Sequence, residues 1–296
     1  MWASGKVMLA MSIVGSSVVA GKLIIQSFPL FLANELRFLV ASAILVPLWM
    51  KVEGFSVLDR KDYLSIFLQA LFGVFLFNVL MLKGLSQTTA IEAGIITSTL
   101  PASTAVLSVL LLKESFTRNI GFGVLMAVFG TVLINITSLS TINLTSLVGN
   151  VLILGAICCE SLFIIFGKSH SRRVSALTVA TMVSCFGAVL FFPFAIAESR
   201  SFAFKEVTFA EWGLVVYFGI IVTVLAFILM QQGLARISAT SAGILTSFLP
   251  ISSIVLSSLF LGEKISFFQC GGFVFILGAL YLLSRPSTQI QMEESQ

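Results

Sequence analysis

The chain has 296 residues, of which 58% are hydrophobic and 10% are charged. Because a soluble domain carries about a quarter charged residues, this composition excludes an ordinary soluble fold and indicates that lipid surrounds most of the chain. The formal net charge of +4 comes from basic residues in short loops, where they set membrane topology. It therefore does not indicate a nucleic-acid partner.

Ten apolar stretches are long enough to cross a bilayer, since about 20 helical residues span the hydrocarbon core. They predict an all-α integral membrane protein with ten transmembrane helices and short connections between neighbours. The predicted spans are 5–27, 29–50, 63–83, 89–112, 119–136, 147–168, 175–197, 211–232, 239–261 and 267–284.

The basic residues between the spans predict the orientation of the chain. With the N-terminus inside, eleven of the 17 lysines and arginines lie in inner segments and five lie in outer segments. Cytoplasmic loops are enriched in Lys and Arg, so both termini are expected in the cytoplasm. The expected location is the plasma membrane, which in a bacterium is the inner membrane.

Residues 84–114 and 233–263 are copies of one segment. The first reads GLSQTTAIEAGIITSTLPASTAVLSVLLLKE and the second reads GLARISATSAGILTSFLPISSIVLSSLFLGE, with 17 of 31 positions identical. Pro101 aligns with Pro250, and glycine, threonine and glutamate positions align as well. Shared apolar bias would not align these residue types, so the chain is predicted to contain an internal repeat.

The repeat predicts two five-helix halves, residues 1–137 and residues 138–296, the second of which includes a short C-terminal tail. Because five is odd, the second half must enter the membrane in the opposite direction. Inverted repeats place a substrate site at their interface near the membrane midplane. Rocking one half against the other would open that site to each side in turn, which favours a secondary transporter.

The chain resembles a known family at several small, polar and charged residues in or next to the spans. They are Gly15-Ser16-Ser17 with Lys22, Arg37-Phe38, the segments Thr97–Pro101 and Thr246–Pro250, and Glu114 with Glu263. Over nearly its whole length the chain resembles the ten-helix, EamA-type members of the drug/metabolite transporter superfamily.

The resemblance implies an exporter or exchanger of amino acids or other small metabolites. It also implies a central cavity lined mainly by helices 1, 3, 4, 6, 8 and 9, with helices 5 and 10 at the periphery. The family often has Trp near the middle of helices 1 and 6, where this chain has Val14 and Glu160. A substrate therefore cannot be carried over from the family.

Glu160 is the leading candidate for substrate binding. It is expected near the centre of span six, and its neighbours one helical turn away are uncharged. Charged groups in mid-membrane are costly unless paired or hydrated, so they are functional candidates by default. Glu160 is expected to bind a substrate amine or carry a proton, with a structural hydrogen bond as the alternative. Phe163, nearby on the same helix, is expected to form an apolar wall.

Two charges in span two are assigned gating or structural roles. Glu35 and Arg37 are two residues apart and lie on different sides of a helix, so they do not simply pair. Arg37 is expected to gate the pathway or to tie helix 2 to a neighbour. Glu35 lies nearer the outer surface and is expected to be structural.

Pro101 and Pro250 are expected to interrupt helices 4 and 9 near their middles. A proline removes one helical hydrogen bond and frees the carbonyl four residues earlier, which is that of Thr97 or Thr246. Symmetric breaks in two repeats point to a binding site, so these four residues are predicted to shape the cavity. A simple packing kink is the alternative.

Other polar residues in the spans are assigned from their local pattern. Glu92 fits a capping box with Thr89 at the start of helix 4, and Glu114 and Glu263 are expected to end helices or anchor loops. The uncharged candidates for substrate contact, which could instead hold helices together, are Ser16, Ser17, Gln69, Asn78 and Gln231. Gly123 and Ala127 in helix 5 form a small-residue face that would suit a homodimer.

Other classes of protein lack their sequence signatures here. The chain has no HExxH motif, no Walker motif and no CxxC pair, and Asp59 and Asp62, both expected in a loop, are its aspartates. His170 is expected in a cytoplasmic loop, so no enzyme, metal site or cofactor is predicted. A passive channel, a lipid scramblase and a non-transporting receptor stay as alternatives to a transporter of a small-molecule substrate, with or without proton coupling.

Overall fold

The computed structural model describes residues 2–54, 58–87, 96–135, 147–171, 173–261 and 266–284, and these residues contain helices and connecting segments but no strand. The helices are numbered in chain order, and α9 has two segments. They are α1 (Trp2–Ser27), α2 (Leu30–Val52), α3 (Arg60–Leu85), α4 (Leu100–Leu112), α5 (Arg118–Asn135), α6 (Leu147–His170), α7 (Ala176–Ser199), α8 (Phe209–Leu234), α9a (Ala239–Leu245), α9b (Phe248–Leu261) and α10 (Phe267–Ser284).

Long apolar helices dominate the described residues. Six stretches are long and apolar enough to cross a membrane: α2, α3, α6, α7, α8 and the stretch Ala239–Leu256 in α9. The helices α4, α5 and α10 contain shorter apolar stretches. The predicted all-helical, multi-pass class is therefore confirmed, whereas the count of ten spans and the inverted repeat stay predictions.

Four of the predicted spans are irregular part-way along their length. Residues Leu71–Leu76 of α3 and Phe218–Leu225 of α8 are π-helical. A turn at Thr246 and Ser247 divides α9, and α4 begins after a turn at residues 98–99. Helical irregularities of this kind are frequent at functional sites.

The prolines do not break the helices in the way that the sequence suggested. Pro101 and Pro250 lie in the first turns of α4 and α9b, where the missing proline N–H costs little. The turns precede them, and the Leu249 N–H donates to the Thr246 carbonyl at 2.9 Å. The expectation of a free carbonyl at Thr246 is therefore wrong, because a tighter turn satisfies it.

The first helix of each predicted half packs with helices of the other half. Helix α1 packs against α8 and α9, whereas α6 packs against α3 and α4. We call these three-helix units group B (α1, α8, α9) and group A (α3, α4, α6). The first helix of each predicted half thus packs mainly with helices of the other half.

Two further helix pairs, α2 with α7 and α5 with α10, also pack closely against each other. Phe38 of α2 stacks on Phe191 of α7, with ring centroids 5.9 Å apart. In α5, a Cβ on Gly130 would lie 2.8 Å from the carbonyl oxygen of Gly272, so the backbones approach closely there. Apolar stacking and close backbone contact make these pairs stable frames.

The small-residue face proposed for a homodimer is occupied within the chain. Ala127 is fully buried, and Gly123 faces Ile244 of α9a and Ala279 of α10. This face therefore cannot also receive a second copy in the present conformation, and the homodimer stays a prediction without that support.

Polar contacts define the two ends of the bundle. We call the end where α1 begins the N-terminal face, and the other end the opposite face. At the N-terminal face, Glu53 accepts hydrogen bonds from Ser175 and Thr178 at 2.7 and 2.6 Å. At the opposite face, Glu198 accepts the backbone N–H of Leu32 at 2.8 Å. Glu198 thus caps the start of α2, and Glu53 binds the hydroxyls of Ser175 and Thr178 at the start of α7, where Ser175 itself is the N-cap.

Two residues expected in loops belong to helices at the N-terminal face. His170 is the last residue of α6, is fully buried and has its Nδ1 3.2 Å from Ser65 Oγ. Asp62 lies in the first turn of α3 and pairs with Arg173 at 2.7 Å. Both helices extend further toward this face than the hydropathy pattern indicated.

Candidate functional site

A cavity of about 750 Å³ lies inside the bundle. Its wall comes mainly from α1, α3, α6, α8 and α9, with Leu100 and Pro101 from α4 and a single residue each from α2, α5 and α10. It extends from Phe163 and Met230, deep in the bundle, to Gln269 at the opposite-face end of α10. The cavity therefore occupies the half of the protein that is nearer the opposite face.

Glu160 lies on the cavity wall in the middle of α6. No hydrogen bond or ion pair joins its carboxyl to another residue in the part of the chain that the structure describes. An unpaired carboxyl on a membrane-embedded wall is available for a cationic group of a solute.

Arg37 lies on the same wall and comes from α2. Its Nε atom is buried without a hydrogen-bond acceptor, and its guanidinium lies 4.6 Å from the ring centroid of the adjacent Phe38. Within the described residues, Arg37 and Glu160 are the only ionisable side chains on the cavity wall. The site thus presents one negative and one positive group that the protein itself does not neutralise.

Several uncharged polar candidates also lie on the wall. They are Ser17, Asn78, Thr97 and Thr246. The amide of Asn78 donates to the Val74 carbonyl at 2.5 Å, which leaves its own oxygen as an acceptor. These residues flank the irregular segments of α3, α4 and α9, so the sequence signal and the backbone geometry agree on their position.

The structure adds polar residues that the sequence analysis did not select. Thr223, Ser247, Thr131 and Gln269 lie on the wall. The hydroxyl of Ser247 is buried and has no hydrogen-bond partner among the described residues. Helices 5 and 10 were expected at the periphery, so Thr131 and Gln269 were not predicted to line the cavity. Thr223 and Ser247 are polar residues within apolar spans, like the residues that were predicted.

Apolar side chains form the rest of the wall and fix its shape. Phe163 lies so close to Gly73 of the π-helical segment that a Cβ on Gly73 would overlap it. Phe77 and Phe227 also line the cavity, and the Phe163 and Phe227 ring centroids are 6.0 Å apart. The cavity therefore has aromatic walls suited to the apolar body of a solute.

Four of the predicted site residues lie away from the cavity. Ser16 bonds to the Tyr217 hydroxyl and joins α1 to α8. Glu35 is buried in α2 and is absent from the wall. Gln69 and Gln231 lie nearer the N-terminal face, and Glu92 lies outside the described residues.

Gln69 and Gln231 belong to a thin layer that closes the cavity toward the N-terminal face. Both contact the bare face of Gly167, since a Cβ there would lie 2.6 Å from Gln69 Nε2 and 3.3 Å from Gln231 Oε1. Met230 lines the cavity, while the next residue, Gln231, lines a separate cleft of about 380 Å³ at the N-terminal face. The cavity and the cleft are thus separate spaces, with Gln69, Gln231 and other buried side chains between them.

The two amides in this layer are not satisfied by the protein. Gln69 is 0% exposed and Gln231 is 3% exposed. Both amide atoms of Gln69 and the Oε1 of Gln231 lack partners in the described part of the chain. Buried polar groups without partners are costly, so this closed layer is held at an energetic expense.

Metal chemistry finds no support in the described residues, which contain no group of three or more His, Cys, Asp or Glu side chains arranged to hold a metal. The four cysteines are unpaired thiols, of which Cys158 and Cys270 are exposed.

The fold and the site define a multi-pass membrane protein with a solute-sized cavity that is closed toward one face. The chain matches the EamA-like transporter family over residues 1–136 and 147–285, and it belongs to that family. It is a membrane transporter rather than an enzyme.

Similar proteins agree with this assignment. The uncharacterized transporter YetK of Bacillus subtilis (strain 168) is 41% identical over 276 residues, which cover 92% of this chain and 84% of that protein. The uncharacterized transporter YyaM of the same organism is 24% identical over 250 residues, covering 82% and 81% of the two chains. A solved crystal structure superposes with a TM-score of 0.81 at 16% identity and covers 95% of this chain and 96% of its own, which shows the same fold.

Proposed function

We propose that this protein is a secondary transporter that moves a small zwitterionic solute by alternating access, as an exporter or exchanger. The observation that carries the proposal is a cavity that holds Glu160 and Arg37, which have no hydrogen-bonding or ion-pair partner among the described residues. The layer that contains Gln69 and Gln231 lies between this cavity and the N-terminal face. A solute that enters from the opposite face meets Glu160 and Arg37 and is stopped by that layer.

The arrangement of the helices supports alternating access. Replacing each helix by its predicted repeat counterpart, α1 by α6 through α5 by α10, reproduces the same main packing partners. A molecule built from two related, inverted halves has two equivalent ways to close, one toward each face. The present conformation, closed at the N-terminal face, is then one of the two.

The charges on the wall favour a particular substrate chemistry. Glu160 suits an ammonium group and Arg37 suits a carboxylate, for which the planar guanidinium is the preferred partner. Phe77, Phe163 and Phe227 would contact an apolar body. An amino acid with an apolar side chain has all three parts, whereas a simple amine leaves Arg37 unpaired.

The closed layer argues against a permanently open channel. Gln69, Gly167 and Gln231 meet with no passage between the cavity and the cleft at the N-terminal face. A lipid scramblase would need a polar groove open to the bilayer, whereas both charges here lie on the wall of an internal cavity. Proton coupling through Glu160 is a further variant, which a pH gradient would test.

Purified protein in liposomes would test the proposal with three probes that share one ring. Phenylalanine carries both charges, phenethylamine carries the cation alone and 3-phenylpropionate carries the anion alone. We expect phenylalanine flux well above that of empty liposomes, little flux of the other two, and counterflow when phenylalanine is preloaded. Equal acceleration of all three would indicate a channel, and no acceleration of any would remove the proposed substrate class.

A further inference from the structure

We propose that Glu114 is a positioning residue of the transport cycle, whose carboxylate caps α9a and holds the pathway closed at the N-terminal face. The inference rests on the proposed alternating access, but its central test is conformational and needs no substrate. It assigns a role to one residue of the loop that follows α4.

The contacts of Glu114 link two helices. Its carboxylate oxygens accept the backbone N–H groups of Ala239 and Thr240 at 2.7 and 3.1 Å, and the Thr240 hydroxyl at 3.0 Å. These N–H groups begin α9a and have no helical acceptor of their own. Glu114 follows α4 of group A, whereas α9a packs on α4 and leads into α9b, which packs with α1 of group B. The cap therefore joins the end of α4 to the start of α9.

The backbone before Glu114 is arranged to aim this carboxylate. Lys113 has φ 55° and is the only non-glycine residue with positive φ in the described part of the chain. Its N–H and that of Glu114 both donate to the Ser108 carbonyl, the latter at 3.3 Å. Glycine is the usual residue at such a helix end because other residues pay a steric cost there. The turn is therefore maintained despite strain, which is typical of switch regions.

The interface between α4 and α9a, next to Glu114, can open at low cost. The Ser108 and Thr240 hydroxyls are 2.5 Å apart, and Gly243 packs directly on Thr104. Small residues and hydrogen bonds separate without exposing much apolar surface, because water can replace the lost hydrogen bonds. The α2–α7 pair instead stacks the buried rings of Phe38 and Phe191, and the α5–α10 backbones approach closely at Gly130, which favours the two pairs staying together.

At the N-terminal face, one interaction favours the closed conformation and another disfavours it. The charged cap favours closure, whereas closure leaves the amides of Gln69 and Gln231 without partners. Opening would admit water to both amides and remove that cost. The free-energy difference between open and closed is then small, and the cap decides which conformation dominates.

Spin-label distances would test the cap directly. Labels replace exposed residues Leu111 at the end of α4 and Arg236 before α9a, in full-length protein in nanodiscs whose four native cysteines are changed to alanine. We expect one short distance with Glu114 present. In Glu114→Gln the ratio of long to short distances should rise about tenfold, as expected for a lost charged cap.

Glu53→Gln is the matched control, since Glu53 also bridges two helices at the N-terminal face but within the stable α2–α7 pair. Its label distances should equal those of the parent. An unchanged distribution in Glu114→Gln, or the same shift in Glu53→Gln, would overturn the inference. Neither distance measurement uses a solute. The test of the Glu114 cap therefore stays valid even if the proposed substrate class is wrong.

A cross-link would show whether the interface must open during transport. Ser108→Cys with Thr240→Cys places two thiols where the hydroxyls now touch. Oxidation should abolish phenylalanine exchange, and reduction should restore it. The control pair Gly130→Cys with Phe275→Cys, whose Cβ atoms would be 3.0 Å apart in α5–α10, should keep exchange when oxidised. Full exchange through the cross-linked Ser108–Thr240 pair would contradict the role proposed for Glu114.

Discussion

Glu160 and Arg37 line one cavity from α6 and α2, and both lie at positions whose repeat counterparts are valines. With the offset of 146 that aligns Pro47 with Pro193, Glu160 corresponds to Val14 and Arg37 to Val183. The helical frame thus follows the repeat, while the two charges depart from it. We infer that the frame provides the two conformations and that the asymmetric pair selects the solute.

Replacing Glu160 by Gln should abolish most transport while leaving the protein folded. The amide keeps the size of the side chain but cannot balance an ammonium group, and a hydrogen bond to a charged group contributes about 1.5–3 kcal/mol. We expect phenylalanine flux to fall about tenfold or more, with an unchanged thermal unfolding midpoint in detergent.

Glu35→Gln is the control for this substitution, because Glu35 is a buried carboxyl in α2 that does not line the cavity. Its flux should stay near that of the parent. If Glu160→Gln transports as well as the parent, or if both variants lose flux equally, Glu160 has no specific part in binding.

Replacing Arg37 by Gln should change selectivity as well as rate. Arg37 is proposed to hold the carboxylate of the solute, so its loss should weaken phenylalanine binding about tenfold or more. Phenethylamine has no carboxylate and should be affected much less. Competition between the two solutes, measured in the same liposomes, would show the predicted inversion of preference.

Arg37→Lys keeps the charge but loses the planar fork, and it should restore phenylalanine binding only in part. An equal loss for both solutes in Arg37→Gln would instead point to a structural role for the guanidinium.

The sequence predicted much of the wall because polar residues stand out within apolar spans. Glu160, Asn78 and Thr246 were selected on this signal, and all three line the cavity. The internal repeat further located the irregular segments of helices 4 and 9. In a membrane the cost of burying a polar group is high enough that its presence is informative by itself.

The sequence could not predict depth or helix partnership. Gln69 and Gln231 carry the same signal as Asn78, yet they lie in the closed layer rather than on the wall. That difference depends on which face is closed, a property of the conformation rather than of the residue. The exchange of α1 and α6 between halves was also hidden, because helix packing depends on contacts between distant segments.

Glu53→Ala should lower stability without altering solute selectivity. Glu53 accepts hydrogen bonds from the Ser175 and Thr178 hydroxyls at the start of α7, and loss of a hydrogen bond to a charged group costs about 1.5–3 kcal/mol. We expect earlier thermal unfolding in detergent and the same order of preference among the three ring-bearing solutes. A changed order of preference would place Glu53 in the pathway and contradict this assignment.

Replacing Gly167 by Ala should disturb the closed layer at the N-terminal face. The new methyl would lie 2.6 Å from Gln69 Nε2 and 2.9 Å from a methyl of Leu234, so at least one neighbour must move. Since Leu234 is fully buried, the amide of Gln69 is the group expected to move, which loosens the layer at this face. We expect faster labelling of a Gln231→Cys thiol by a water-soluble maleimide applied from the N-terminal side.

Gly155→Ala is the control on the same helix, because its methyl would meet only Leu80 at an ordinary 3.4 Å. Labelling in that variant should match the parent. If Gly167→Ala labels no faster than Gly155→Ala, the overlap is absorbed by local side-chain movement, and the layer at Gly167 does not control access to the cavity from the N-terminal face.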